Sequence, residues 1–260
     1  MRPEFDLAMA AARRAGAITL KYYGGHYQVA DKGNDNPVTS ADLAANAYLS
    51  EALQTPYPEY GWLSEETVDD PQRLQRDRVW IVDPIDGTKE FLAEIPEYVV
   101  SIALVEKGEP IVGVIYNPPK DELYAAVKGG GTFLNGQRVF CTDTPSLDQA
   151  TMIVSRSETK RGEIDPFRPH LQAIEPVGSV AYKLAVVAGG GADLNISVQP
   201  KNEWDVVAGD LLVREAGGHM LDLAGQVRRY NQADPLIRGG LAAGNPQLTA
   251  AALQLIAEAG

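Results

Sequence analysis

Cysteine is almost missing from this chain. The single residue, Cys141, excludes an intrachain disulfide and any cysteine-built metal site, and its simplest role is that of a small buried hydrophobe. Histidine is nearly as scarce. His26, His170 and His219 are the whole complement, none stands beside a nucleophile elbow, and each reads as structural or exposed, so a hydrolase built on an imidazole base finds little support. No apolar run approaches the length needed to span a bilayer, which argues against integral membrane association. The opening residues, Met1-Arg2-Pro3-Glu4-Phe5-Asp6, are acidic and lack the apolar core and cleavage site of a secretory leader, so a cytoplasmic location is expected. Basic residues are also short, 23 Lys and Arg against 35 Asp and Glu, for a net charge of −12. That balance argues against a nucleic-acid polymer or an anionic membrane surface as the main partner. An anionic substrate would need its charge masked, and divalent cations are the obvious means.

What is present is ordinary globular composition, 45% hydrophobic and 22% charged over 260 residues. Leu7, Ala11, Ala15, Ile18 and Tyr22 recur at helical spacing between Pro3 and Tyr23, with Gly24-Gly25 as the stop. A polar connection through Lys32-Gly33-Asn34-Asp35-Asn36-Pro37 leads to a second helix, capped by Thr39 or Ser40 and running to about Leu53, with Asp42 in its first turn. Gly61-Trp62-Leu63-Ser64 reads as a short strand entering the acidic pair Glu65-Glu66. Val79 to Val82, Val99 to Glu106, Ile111 to Tyr116, Leu123 to Val127 and Phe133 to Val139 read as further strands. Lys107-Gly108-Glu109-Pro110 and Asn135-Gly136 are the turn signals, and an antiparallel meander is expected. Thr142 to Leu147 is the best boundary, dividing residues 1–142 from 143–260. Beyond it, strands at Thr151 to Val154 and Asp193 to Val198 alternate with helices at Ala181 to Ala188, Asp205 to Ala216 and from Gln247, an α/β pattern. Repeats and low-complexity segments are absent.

The chemistry concentrates at Trp80-Ile81-Val82-Asp83-Pro84-Ile85-Asp86-Gly87-Thr88-Lys89-Glu90-Phe91. A turn at Pro84-Ile85 would bring the Asp83 and Asp86 side chains and the Ile85 carbonyl around one point, a hard-oxygen set suited to Mg²⁺ or Mn²⁺. Taken alone, the same pentapeptide is also a plain turn, Asp205 an N-cap and Glu65 a solvated acid. Together they offer enough carboxylates for two or three adjacent divalent ions. If Gly87 opens a helix, its amide and that of Thr88 would face an anion.

In this setting the residues resemble the inositol monophosphatase superfamily, which includes inositol monophosphatase and the 3'(2'),5'-bisphosphate nucleotidases of CysQ type. The ordered motifs are Pro37-Val38-Thr39-Ser40-Ala41-Asp42, Ser64-Glu65-Glu66, Trp80 through Thr88, and Trp204-Asp205-Val206-Val207-Ala208-Gly209, and they cover nearly the whole chain. The resemblance implies a layered α/β/α/β/α sandwich of the sugar phosphatase type, with an α+β N-terminal half, an α/β C-terminal half and the active site between them. It implies that Glu65, Asp83 and the Ile85 carbonyl bind one Mg²⁺ and that Asp83, Asp86 and Asp205 bind a second. Glu65 with Thr88 would activate a water for direct attack on phosphorus, and Asp42 would join the surrounding hydrogen-bond network. A homodimer is expected by resemblance alone, as is sensitivity to lithium.

Within the superfamily, the continuation Lys89-Glu90-Phe91, the stretch Val154-Ser155-Arg156-Ser157 and the approach Pro200-Lys201-Asn202-Glu203-Trp204-Asp205 resemble the nucleotidases. Val198 stands seven residues before Asp205, where inositol monophosphatases place an inositol-binding glutamate. Gly178, Ser179 and Lys183 lie where nucleotidases bind nucleotide, and Lys183 would contact phosphate, against the alternative of a solvated helix lysine. The leading expectation is therefore removal of the 3'-phosphate from 3'-phosphoadenosine 5'-phosphate and its sulfated analogue, in sulfur metabolism. An inositol or sugar phosphate phosphatase is the alternative, and a non-catalytic phosphometabolite-binding protein the reading of another class.

Overall fold

The computed structural model describes residues 2–31, 33 and 37–259. Helix α1 (Arg2–Thr19) is followed by a short antiparallel pair, β1 (Val29–Asp31) and β2 (Pro37–Thr39), and by α2 (Ser40–Gln54). Most of the polar connection expected between them lies outside the described residues. Instead of running to Tyr23, α1 ends at Thr19 and tightens into turns that place Tyr22 and Tyr23 against Phe91 and Tyr98.

A seven-stranded sheet follows, in the spatial order β3 (Gly61–Ser64), β4 (Arg78–Asp86), β5 (Val99–Glu106), β6 (Glu109–Asn117), β7 (Glu122–Val127), β8 (Gly131–Leu134) and β9 (Gln137–Val139). Helix α3 (Thr88–Leu92) interrupts it after β4. All neighbours are antiparallel except β3 and β4. The expected meander is present. Its β5–β6 turn is shorter than the four residues read from sequence, because Lys107 and Gly108 alone take left-handed φ and Pro110 already sits in β6 beside a register shift.

The remaining elements are β10 (Thr151–Val154), α4 (Arg156–Lys160), β11 (Ala173–Pro176), α5 (Val180–Ala188), β12 (Leu194–Ser197), β13 (Lys201–Asn202), α6 (Glu203–Glu215), β14 (His219–Leu221), β15 (Leu236–Ile237), β16 (Leu241–Gly244) and α7 (Pro246–Ala259). The second sheet runs β11-β10-β12-β16-β14, its first three strands parallel.

Strand alternation shows how the layers stack. Trp80 and Val82 point to α1 and α2, whereas Val79 and Ile81 point to α5 and α6. In the second sheet Ile153, Leu241 and Ala243 face those same two helices, while Met152, Val154 and Ala242 face α7. The result is the expected α/β/α/β/α sandwich. Its central layer, α5 and α6, is packed so closely that a Cβ on Gly209 would fall 2.5 Å from Leu184 Cβ. Gly209→Ala should therefore lower unfolding free energy by about 1–3 kcal/mol in denaturant titrations. A wild-type midpoint would contradict this packing.

Candidate active site

Strict alternation along β4 would send Asp83 and Asp86 to opposite faces. They share one because β4 carries an extra residue between the pairs Asp83↔Ser101 and Asp86↔Val99. Pro84 is tolerated inside this bulge. Glu65 follows the β3 residue paired with Val82, so it reaches the same edge. Asp205 arrives from the first turn of α6, on the layer that covers this face.

Ligand oxygens of Asp83, Asp86 and Asp205 lie within 4.8 Å of one another. Each carboxylate has one oxygen tied to the protein. Asp83 Oδ1 accepts from the Ile85 amide at 3.0 Å, and Asp205 Oδ2 accepts from the Asn202 amide at 2.8 Å. Asp86 Oδ2 accepts from Ser179 Oγ and from the Ala181 amide, both at 2.6 Å. The second oxygen of Asp83 is buried with no partner, in a side chain only 1% exposed. An orphaned buried carboxylate oxygen beside two further carboxylates is what a hard divalent cation satisfies. These residues fit Mg²⁺.

The electrostatics agree. Burial, followed by the charges of Glu65, Asp86, Asp205 and Asp42, pushes the Asp83 carboxyl well above the usual carboxylate range. Asp205 is raised in the same way by burial, then by Asp86 and Glu65. Asp86 is raised by burial and held back by its bonds from Ser179 and Ala181.

Beside the trio, Asp42 closes a capping box with Thr39, whose amide and hydroxyl donate to Asp42 Oδ2 at 2.8 and 2.5 Å. Its other oxygen accepts from Thr88 Oγ1 at 3.3 Å, and the Ile85 carbonyl lies 3.2 Å from the same hydroxyl. Gly87 caps α3 with φ 99°, and a side chain there would crowd the Glu97 carbonyl and Ser179.

A cleft of ≈ 600 Å³ opens over these groups, lined also by Lys89, Glu90, Ser155, Arg156, Lys160, Gly178 and Ser179. Of the stretch Lys89-Glu90-Phe91, only the first two residues line the cleft, because Phe91 is wholly buried against Tyr23, Tyr27 and Tyr98. Glu90 abuts Gly178, where a Cβ would fall 2.2 Å from its side chain. Arg156 pairs with Glu97 at 2.5 Å and with Glu90 at 3.5 Å. Ser179 adopts φ 57° and ψ 130°, a conformation that costs a non-glycine residue about 1–3 kcal/mol. Lys183 is buried, not solvated, and burial lowers its ammonium pKa to about 8.

The inositol monophosphatase family profile matches residues 1–260. The chain belongs to that family. Among its relatives, the Nus factor SuhB of Escherichia coli K12 is 33% identical over 97% of this chain and 95% of that protein. An inositol-1-monophosphatase of Mesorhizobium japonicum is 35% identical over 96% of this chain and 95% of its own. The crystal structure of extragenic suppressor protein suhB from Bartonella henselae superposes with a TM-score of 0.84 at 32% identity, covering 96% of this chain and 97% of that one. An IMPase from Thermotoga maritima gives 0.86 at 27% identity, covering 97% and 96%. Inositol monophosphatase family proteins are Mg²⁺-dependent phosphatases, so this chain is a phosphoric monoester hydrolase of small phosphorylated substrates. Among the described residues, no helix is long and apolar enough to cross a membrane.

Sequence reasoning missed Glu97, and it read Glu203 only as part of the approach to Asp205. Glu97 accepts from the Gly178 amide at 2.7 Å, and Glu203 accepts from the amides of Asn231 and Gln232 at 2.7 and 2.9 Å, bracing the helix that carries Asp205. Neither set of contacts carries a local signal, since the partners are distant in sequence.

A carboxyl whose pKa is higher in the folded than in the unfolded chain holds its proton better when folded. Folding then gains stability as pH falls and loses it as pH rises through the folded value. Asp83, Asp86 and Asp205 are all raised, and burial pushes Glu203 to about 7. Denaturant titrations of the metal-free protein should show stability rising as pH falls through about 7, the value to which Glu203 is pushed, with the three aspartates adding in the same direction, and excess Mg²⁺ should remove the aspartates' share alone. Stability that falls as pH drops through that value would contradict the assignment.

Proposed function

We propose that the chain hydrolyses a phosphate monoester carried on a small hydroxylated ring, with inositol 1-phosphate as the leading substrate. One observation carries the reaction: Asp83, Asp86 and Asp205 converge within 4.8 Å in a cleft that also holds Glu65, Gly87 and Thr88. The substrate follows from the relatives, one of which, at 35% identity, is named an inositol-1-monophosphatase. When bound, two or three Mg²⁺ ions, or Mn²⁺ in their place, neutralise the crowded charges and make a water more acidic.

The protein's own groups do the rest. Asp42 takes the Thr88 hydroxyl proton in a hydrogen bond, which turns the oxygen lone pairs of Thr88 outward to accept from the attacking water. Glu65 receives the proton as the water attacks phosphorus in line; the P–O bond to the ring breaks on the opposite side, and the ring oxygen leaves as an alkoxide that solvent water protonates, with no phosphoenzyme. The amides of Gly87 and Thr88 hold the phosphate oxygens, so most of the rate comes from positioning and charge.

Hydrolysis of 3'-phosphoadenosine 5'-phosphate is the second reading. Val198 in place of a glutamate and a wall carrying Lys89, Arg156 and Lys160 favour it. Three observations rank it second. Among the described residues lining the cleft none is aromatic, which leaves an adenine no ring to stack on, and Arg156 is engaged by Glu97. The relatives above carry the names SuhB and inositol-1-monophosphatase, not bisphosphate nucleotidase. A pure binding protein would not need Glu65 and Thr88.

Phosphate release from inositol 1-phosphate, 3'-phosphoadenosine 5'-phosphate and fructose 1,6-bisphosphate should be compared side by side. Turnover should require Mg²⁺ and be fastest with the first. A preference of about tenfold or more for the bisphosphate nucleotide would reverse the two readings. Thr88→Ala should lower kcat by about 10²–10⁴-fold with little change in KM. Full activity in that variant would remove Thr88 from the mechanism.

A further inference from the structure

Lys183 borders the cleft but is only 2% exposed, and its ammonium is turned into the protein. Nζ donates to the Ser179 carbonyl at 2.6 Å and lies 3.4 Å from the Val177 carbonyl. Two carbonyls of one tight turn therefore close on one cation. Between them, the Gly178 amide is held by Glu97, and Ser179 takes its left-handed φ of 57°. The same turn delivers the Ser179 hydroxyl and the Ala181 amide to a single oxygen of Asp86. The orientation of Asp86 thus depends on a turn that serine disfavours, and Lys183 is the group that ties the turn down from behind. A lysine that reads substrate would turn its ammonium to the cleft, and this one directs two of its three donors to backbone carbonyls.

We propose that Lys183 is a positioning residue for Asp86, acting through the Ser179 turn to hold that carboxylate in its cation-binding orientation. The inference rests on reading Asp86 as a metal ligand. Mutation of groups that orient metal ligands typically costs 10–100-fold in metal affinity.

Calorimetric titration of Mn²⁺ into the full chain, without substrate, tests it. Lys183→Met and Ser179→Ala should each weaken Mn²⁺ binding by about 10–100-fold. The double variant should bind no more weakly than the weaker single one, because both changes act on one turn. With excess Mg²⁺, Lys183→Met should recover kcat and show the wild-type KM for inositol 1-phosphate. Unchanged Mn²⁺ affinity in Lys183→Met, a raised KM that excess metal does not restore, or losses that multiply in the double variant would each overturn the inference. If Lys183→Met does not fold, Ser179→Ala decides alone, and wild-type Mn²⁺ affinity there overturns it. A wild-type chain that binds no Mn²⁺ would contradict the metal centre itself, so the two failures are distinguishable.

Discussion

Charge repulsion inside a buried pocket is the constraint on which this structure turns. Asp83, Asp86 and Asp205 are brought together with the charges of Glu65 and Asp42 close enough to raise the pKa of Asp83, in a place that burial already makes unfavourable for anions. Left uncompensated, such a group weakens the fold. The chain tolerates it through fixed local donors: an amide for Asp83, an amide for Asp205, and a hydroxyl with an amide for Asp86. Each donor satisfies one oxygen and leaves the carboxylate directed at the shared centre. A divalent cation bound among these oxygens would restore the stability that their crowding costs.

The layers serve the same end. The two-sheet sandwich places α5 and α6 against the inner face of the first sheet, and both helices open at the carboxylate cluster. A strand bulge, a short helix capped by Gly87 and the turn at Gly178-Ser179 meet there, so the irregular backbone of the fold is concentrated at the site. The regular parts pack tightly around it. Glu97, Glu90 and Arg156 tie the cleft wall of α4 to the end of the first sheet, with Arg156 bridging both acids.

Much of this was legible wherever the signal is local. The apolar run into Asp83, the Thr39 to Asp42 cap, and Asn135-Gly136 as a hairpin turn, its two residues at φ 48° and 82°, all lie within a few residues of one another. Cys141 packs half-buried against the central core, with its thiol pushed up to about 11 by burial. Other features were out of reach. The extra residue in β4 is defined only against its partner strand, and β10 pairs in parallel with β11 across a connection through α4, with no hairpin to announce it. Lys183 looked like a choice between a solvated helix lysine and a phosphate contact. The structure gives it a third environment, because carbonyls one turn away cap its ammonium. Phe91 reads as part of a substrate signature in the sequence, yet its ring belongs to an aromatic cluster completed by Tyr23 and Tyr27, in the segment after α1.

The account therefore stands on the carboxylates being a cation centre and not merely a strained acidic pocket. Crystals soaked in Mn²⁺ and measured with anomalous scattering test this most directly. The account predicts anomalous density between Asp83, Asp86 and Asp205, with oxygen contacts of about 2.0–2.3 Å typical of a hard divalent ion. Mn²⁺ density elsewhere in the molecule, with none among these three side chains, would contradict it.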